Sequence, residues 1–181
     1  AQQVLDTLVY TNEKHMTFEA MITKLNKAYN TLKRQGQEFT DKSKVEQLAK
    51  RIKKAGLVFV LDFHYSDWWA DPGSQTTPVS WQGLNQSQLE QKINEYTTAT
   101  LARFAQQQTS PQWVQVGNEI ANGMLWPTGK LNTWSNEEFK RLVGLLNSAS
   151  SAVRASAGKP KVMIHLETGG DSAKTKTWLT M

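Results

Sequence analysis

The apolar positions of the chain alternate between helical and strand-like spacing. Residues 16–36 carry apolar side chains at intervals of three and four, which predicts an amphipathic helix that ends at a glycine. A second such pattern begins at about Asp41 and predicts a helix followed by Gly56. The continuous apolar run over residues 57–63 comes next, and it predicts a strand that is buried on both faces, as in a parallel sheet.

The order of strand, loop and helix then repeats. Residues 87–90 (Ser-Gln-Leu-Glu) predict a capping box that opens a helix, and residues 113–118 predict the next strand. Residues 135–138 (Ser-Asn-Glu-Glu) predict a second capping box, with a helix behind it whose inner face includes Val143. Residues 161–166 predict a third strand, and a last helix begins near the end of the chain.

Strands joined by helical crossovers indicate an α/β fold with a parallel sheet. The strand-to-helix loops are long and the helix-to-strand links are short, which is typical of the active-site face of a (β/α)8 barrel. A doubly wound sheet would share the pattern. No glycine-rich phosphate loop follows any of the predicted strands, however, and this weakens nucleotide-binding interpretations.

Composition narrows the classes of partner. The chain has 181 residues, of which 39% are hydrophobic and 20% charged, as expected of a soluble globular protein. Much of its formal charge of +5 lies in residues 41–56, which we interpret as the solvated face of a helix, because no aromatic residues are interleaved there for base stacking. No stretch approaches the roughly 20 apolar residues of a membrane helix. We therefore expect neither a nucleic-acid partner nor a membrane partner.

The absence of cysteine excludes disulfides and thiol catalysis.

Polar and ionisable residues lie at the carboxyl ends of three successive predicted strands. Each residue alone has a simpler interpretation, such as a turn cap or an acid at a helix N-terminus. Together, these residues lie at the same edge of a parallel sheet, whereas the strands themselves are apolar. This combination favours an active site. The residues are His64 and Asp67 at the end of the first strand, Asn118 and Glu119 at the end of the second, and His165 and Glu167 at the end of the third.

Tryptophan is frequent, with seven residues in the chain. Trp68, Trp69, Trp81 and Trp126 lie in the predicted loops, and Trp134 lies just before a helix. An indole offers a flat apolar face and one polar N–H, which suits the C–H face and hydroxyl rim of a sugar. Some of these rings could instead fasten long loops to the barrel. Beside carboxylates and amides, they favour a carbohydrate cleft.

Three segments, residues 61–81, 114–129 and 161–170, resemble the third, fourth and fifth barrel strands of glycoside hydrolase family 53, the arabinogalactan endo-β-1,4-galactanases. The resemblance covers residues 41–181 and implies an α/β fold of the (β/α)8 TIM-barrel family, with only about three central β/α units, strands 3 to 5, recognisable. Residues 1–40 do not match the family, and we predict a mainly helical N-terminal segment there.

The resemblance also implies roles for individual residues. Glu119 would be the general acid/base of a retaining glycosidase, and Asn118 would bind the sugar 2-hydroxyl. The other substrate-binding positions would be His64, Asp67, Trp69, Trp126 and His165. The implied substrate is β-1,4-galactan of plant arabinogalactan and pectin, and the implied location is extracellular. We expect no cofactor and no metal.

Retention of configuration needs two carboxyl groups about 5–5.5 Å apart. The family's nucleophile is a glutamate at the end of barrel strand seven, and no residue of this chain matches it. Glu167 lies on the wrong strand for that role. We therefore expect no normal turnover from this chain alone. Two alternatives remain open: a catalytically inactive carbohydrate-binding barrel fragment, and a metal-dependent hydrolase that uses His64, Asp67 and His165.

Overall fold

The structure is a computed structural model that describes residues 5–10 and 42–181. Helices and strands alternate through most of this range. In chain order the elements are β1 (Leu5–Tyr10), α1 (Lys42–Lys54), β2 (Val58–Phe63), a 3-10 turn (Val79–Trp81), α2 (Gln86–Gln106), β3 (Trp113–Val116), a second 3-10 turn (Ile120–Asn122), β4 (Gly123–Met124), β5 (Gly129–Lys130), α3 (Asn136–Ala155), β6 (Lys161–Met163) and α4 (Ser172–Thr180).

Among the described residues, the main sheet contains four strands in the order β1-β2-β3-β6. Strands β2, β3 and β6 are parallel, with Val60 opposite Trp113 and Trp113 opposite Lys161. Helix α2 connects β2 to β3, and α3 connects β3 to β6. The predicted parallel α/β arrangement of three strands with two helical crossovers is thus confirmed. The short strands β4 and β5 form a separate antiparallel pair in the loop after β3.

Strand β1 adds an element to the sheet. It runs antiparallel to β2, with Leu5 opposite Phe63 and Tyr10 opposite Val58. It therefore differs from the all-parallel pattern of a complete barrel, and it lies within the segment for which the sequence predicts a mainly helical structure. The helix predicted over residues 16–36 lies outside the described residues.

The core lies between the sheet and its helices. Strand β2 is buried along almost its whole length, as its apolar run predicts. Helix α1 turns Val45, Ala49 and Ile52 inward, at the spacing that the sequence pattern predicts. Helices α2 and α3 also pack against each other, and Val143 is an exception to the predicted inner face because it is 45% exposed.

The capping box of α2 lies two residues earlier than predicted. Asn85 is the N-cap, and its Oδ1 accepts from the Gln88 N–H at 3.0 Å, while Gln88 Oε1 accepts from the Asn85 N–H at 2.9 Å. The prediction of Ser87 and Glu90 is therefore wrong, because Asn-x-x-Gln offers the same reciprocal hydrogen bonds one half-turn earlier. The predicted box of α3, with Ser135 as N-cap, is confirmed.

Helix α2 is the longest helix of the described part of the chain, with 21 residues. Polar side chains interrupt its apolar face, and no helix within residues 42–181 is both long and apolar enough to cross a membrane.

Candidate active site

The carboxyl ends of β2, β3 and β6 meet through one chain of hydrogen bonds. His64 follows β2 and is only 1% exposed. Its Nδ1 accepts from the Ala70 N–H at 3.1 Å, so the neutral ring carries its proton on Nε2. Nε2 lies 3.2 Å from Asp62 Oδ2. This arrangement fixes the ring plane between the strand and the loop that follows it.

Asn118 joins that loop to the third strand end. Its Nδ2 donates to the Ala70 carbonyl at 2.8 Å, which makes Oδ1 the acceptor side of the amide. His165 Nδ1 lies 2.9 Å from Asn118 Oδ1 and is therefore the donor of this hydrogen bond. Asn118 Oδ1 also accepts from Gln115 Nε2 at 3.2 Å. The structure thus brings His64, Asn118 and His165 together, with the Ala70 peptide as the link.

Glu119 has a left-handed backbone, with φ 51° and ψ 50°. This conformation is uncommon for a residue with a Cβ atom and persists where the surrounding structure imposes it. Gln75 Nε2 donates to the Asn118 carbonyl at 2.8 Å and lies 3.4 Å from the Glu119 carbonyl. The next N–H, from Ile120, donates to the His165 carbonyl at 3.1 Å. Glu119 as a whole is partly exposed at the carboxyl end of β3.

Asp67 and Glu167 bind backbone groups of the loops. Asp67 Oδ2 accepts from the Val79 N–H at 2.7 Å and so fixes the start of the first 3-10 turn. Glu167 Oε2 accepts from the Ala121 N–H at 3.4 Å and so contacts the second 3-10 turn. Both side chains thus bind a loop backbone N–H at the carboxyl edge of the sheet. The substrate contact predicted for Asp67 stays a prediction.

The loop tryptophans separate into two groups. Trp68 and Trp69 are 66% and 57% exposed, and the Trp69 ring lies 4.9 Å from the His64 ring. Trp81 is buried and packs edge-on against Tyr96, and Trp134 packs in the same way against Phe139. The prediction that the loop tryptophans serve a sugar cleft is therefore wrong for Trp81, which belongs to the core and has no face free for a ligand.

Trp126 is half-buried beside the β4–β5 pair. Its indole Nε1 donates to the Asn122 carbonyl at 3.1 Å, and Lys130 Nζ lies 4.3 Å from the ring centroid. Its backbone N–H donates to the Gln75 carbonyl at 2.8 Å. The ring is thus held at its N–H edge by Asn122 and contacted by Lys130, and its predicted contact with substrate stays a prediction.

Two tyrosines connect the loop after β2 with helix α2, Tyr65 from the loop and Tyr96 from the helix, and their rings pack edge-on. The Tyr65 hydroxyl lies 2.8 Å from the Thr97 hydroxyl. Burial raises the pKa of Tyr65 and of Tyr96 far above the usual value, so both phenols are neutral at any physiological pH. They anchor the loop and are not exposed for acid–base chemistry.

Three residues that support the site were not predicted from the sequence. They are Gln75, Gln115 and Asp62, and all three are buried and polar. A signal existed for Asp62, which is the only ionisable residue in the apolar run over residues 57–63. No comparable signal existed for Gln75, which lies in a polar loop where most side chains are expected to be solvated.

The metal-dependent alternative finds no support in the geometry. Within residues 42–181, no group of three His, Asp or Glu side chains is placed to hold a metal ion. Asp67 binds the Val79 N–H, and His64 binds the Ala70 N–H through the lone pair that a metal would need.

A parallel α/β sheet with polar and aromatic residues at its carboxyl edge is the arrangement found in (β/α)8-barrel proteins. The model of glycosyl hydrolase family 53 matches residues 11–181, and the chain belongs to this family. It is 43% identical over 136 residues to an arabinogalactan endo-β-1,4-galactanase of Humicola insolens, and 41% identical over 135 residues to one of Thermothelomyces thermophilus.

Solved structures agree with this assignment. A fungal β-1,4-galactanase superposes with a TM-score of 0.72 at 39% identity, over 78% of this chain and 41% of that one. The catalytic domain of an Ignisphaera aggregans family 53 protein superposes with a TM-score of 0.64 at 39% identity, over 70% of this chain and 34% of that one. The predicted membership of the (β/α)8 family, with part of the barrel present, is confirmed.

The match with both named galactanases covers 74% of this chain and 39% of their length. The chain therefore spans about two fifths of the curated relatives that it matches. The family match begins at residue 11, which lies inside the predicted N-terminal segment, residues 1–40. The division of the chain at residue 41 stays a prediction.

Proposed function

We propose that the protein that contains this chain hydrolyses β-1,4-galactosidic bonds in arabinogalactan and pectic galactan, with retention of configuration. The observation that carries this proposal is the position of Glu119 directly after Asn118 at the carboxyl end of β3, between the ends of β2 and β6. The names of the relatives, arabinogalactan endo-β-1,4-galactanases, supply the substrate class.

Glu119 is proposed as the general acid/base. In a retaining mechanism, it protonates the glycosidic oxygen as the bond breaks and later takes a proton from the attacking water. Its fixed backbone supports this role because proton transfer requires a donor within hydrogen-bond reach of the leaving oxygen. Asn118 is proposed to bind the 2-hydroxyl of the sugar. Its amide now binds Ala70 and His165, so it must either rotate away from them or bind the sugar in addition.

Trp69 is proposed as a sugar platform, because more than half of its surface is exposed and His64 supports its ring. His64 itself is buried, with one nitrogen on Ala70 and the other facing Asp62, so we assign it to the support of Trp69 and Asn118. We propose direct substrate contact for His165, Asp67 and Trp126 at the rim of the site.

The second carboxylate of a retaining pair attacks the anomeric carbon. Because no residue of the 181 matches the family's nucleophile, we propose that these residues by themselves bind galactan without turning it over. An extracellular location belongs to the same proposal, because a polymeric substrate is cleaved where it is encountered, before uptake.

The test is an assay of new reducing ends from linear β-1,4-galactan, together with calorimetric binding of β-1,4-galactotetraose. Glu119→Gln is the active-site variant and Glu137→Gln, an exposed carboxylate on α3, is the matched control. We expect binding without release of reducing ends, and Trp69→Ala should weaken binding by about two- to tenfold, the equivalent of about 0.5–1.5 kcal/mol.

Release of reducing ends that disappears only in Glu119→Gln would support the acid/base assignment and contradict the expected inactivity of these residues alone. Neither release nor binding of galactotetraose would contradict the proposed substrate class. A carbohydrate-binding protein without catalysis is the second candidate, and the exposure of Trp68 and Trp69 favours it. It predicts binding that is unchanged in Glu119→Gln and no cleavage by any protein that contains this chain.

A further inference from the structure

Gln75 contacts the backbone of the proposed acid/base from the loop after β2. Its side chain is buried, with 1% of the residue exposed. Three carbonyl oxygens surround its Nε2: Asn118 at 2.8 Å, Asp71 at 3.0 Å and Glu119 at 3.4 Å. An amide nitrogen has two hydrogens, and the two shorter contacts take them. The reversed amide would place its oxygen against three acceptors, so the orientation of this amide is determined.

Glu119 needs such a contact because of its conformation. A left-handed backbone at a residue with a Cβ atom persists only where the surroundings impose it. Gln75 holds the peptide before Glu119 through the Asn118 carbonyl. The His165 carbonyl holds the peptide after it through the Ile120 N–H. With both flanking peptides fixed, the direction of the Cα–Cβ bond of Glu119 is fixed as well.

Gln75 is itself anchored by the loop after β3. Its carbonyl accepts from the Trp126 N–H at 2.8 Å, and the adjacent Thr76 pairs with Trp126 as an isolated bridge. The Thr77 hydroxyl also donates to the Trp126 carbonyl at 2.7 Å. The residues on both sides of Thr76 thus bind Trp126 of the other loop, and Gln75 is the one whose side chain extends to Asn118 and Glu119.

We propose that Gln75 is the positioning residue of Glu119, which it holds in the left-handed conformation that directs the carboxylate into the cleft. The proposal deepens the acid/base assignment of Glu119 and rests on it. Gln75 acts through the Asn118 carbonyl, which belongs to the peptide that precedes Glu119.

The test uses the 181-residue chain labelled with 13C and 15N. The Cα and Cβ chemical shifts of Glu119, assigned with the aid of Glu119→Gln, report its φ and ψ directly. Gln75→Met keeps the length of the side chain and removes the donor. We expect the Glu119 shifts to leave the left-handed pattern in Gln75→Met, while the resonances of α3 stay unchanged. Gln82→Met, an exposed glutamine of the same loop, should leave Glu119 as it is in the wild type.

Unchanged Glu119 shifts in a folded Gln75→Met protein would overturn the proposal. If Gln75→Met does not fold, Gln75→Asn, which withdraws the amide by one methylene, should move the Glu119 shifts in the same direction. Loss of the fold in both variants would also overturn the proposal, because it would make Gln75 a residue of the general core.

Galactotetraose separates this proposal from the proposed function. Addition of the sugar to the wild type should perturb Glu119 and Asn118. Without that perturbation the galactan assignment fails, whereas the effect of Gln75→Met on the free protein still decides whether Gln75 positions Glu119.

Discussion

Glycine and glutamate share the strained turn at the end of β3. Gly117 has a φ of +81°, and its N–H donates to the Phe63 carbonyl at 2.9 Å. A Cβ atom at Gly117 would lie 2.8 Å from Ile120 Cγ2. The turn that presents Asn118 and Glu119 therefore requires glycine at this position, both for its conformation and for the space that it leaves.

Gly117→Ala should lower the stability of the protein by more than the cost of a positive φ alone. Gly83→Ala is the matched control, because Gly83 has a φ of +80° and a Cβ atom added there would meet no atom beyond its chain neighbours within 4 Å. We expect about 1–2 kcal/mol of destabilisation for Gly83→Ala, and a larger loss for Gly117→Ala, measured by urea unfolding. Equal losses of unfolding free energy at the two positions would show that Ile120 moves aside without a measurable cost.

At the scale of elements, the capping boxes determine where the helices start and how the preceding loops are held. Helix α2 begins after Asn85 and α3 after Ser135. A serine or asparagine side chain satisfies an N–H of the first turn in each case. The sequence pattern of a capping box predicts the start of α3 correctly. At the start of α2 two such patterns overlap, Asn85 with Gln88 and Ser87 with Glu90, and the sequence alone does not distinguish them.

The two N-cap assignments for α2 make opposite predictions. Asn85→Ala should destabilise the protein by about 1 kcal/mol, because the Gln88 N–H loses its acceptor. Ser87→Ala changes an exposed residue in the first turn and should change stability by less than about 0.5 kcal/mol. Thermal unfolding of both variants decides between them, and a larger effect at Ser87 would return the cap to the position that the sequence predicts.

Glu138 makes the stability of α3 depend on pH. Its Oε2 accepts from the Thr133 N–H at 3.0 Å, the Thr133 hydroxyl at 3.2 Å and the Ser135 N–H at 3.3 Å. These hydrogen bonds, that of the Thr133 backbone first, lower the pKa of Glu138 to about 2. A lowered pKa means that the carboxylate stabilises the fold above its unfolded pKa of about 4.3 and loses this effect as the pH falls towards about 2.

The Tm of Glu138→Gln should therefore lie below that of the wild type above about pH 5, and the two values should converge between about pH 4 and pH 2. Differential scanning calorimetry across this range measures the convergence, with Glu137→Gln as the exposed control. A Tm difference that stays constant down to pH 2 would contradict the role of the charge.

At the scale of the whole molecule, β6 forms one edge of the described sheet. The Lys161 N–H donates to the Gln112 carbonyl at 2.9 Å. Because backbone N–H groups alternate between the two sides of a strand, the Val162 N–H points away from β3. An edge with outward N–H and C=O groups is a template for pairing with another strand, so we expect concentration-dependent self-association of the 181-residue chain.

Val162→Pro should reduce this association and keep the fold, because proline is tolerated at an edge position whose N–H faces outward. It should also lower stability, because the Val162 side chain packs against the core. Met163→Pro is the comparison, since the Met163 N–H is on the side of β3 and its loss should disturb the sheet. Sedimentation velocity measures the association, and circular dichroism measures the fold. Association that persists unchanged in a folded Val162→Pro protein would place the contact elsewhere.

The hydrophobic pattern determined the strands β2, β3 and β6, the helices between them and the edge of the sheet at which the chemistry lies. Alternating runs of buried strand and amphipathic helix leave few ways to bury their apolar faces, and parallel crossovers bring the carboxyl ends of the strands together. The positions of Asn118, Glu119 and His165 at that edge follow from strand order alone.

The tertiary structure decided which side chains contact one another. Trp81 and Trp69 lie in the same loop, yet one is core and the other exposed, because burial depends on where the loop folds back on α2. Gln75 became a contact of Glu119 only because two loops from different strands meet at Trp126. Sequence periodicity reports the face of an element, whereas contacts between loops depend on distances that only the folded chain sets.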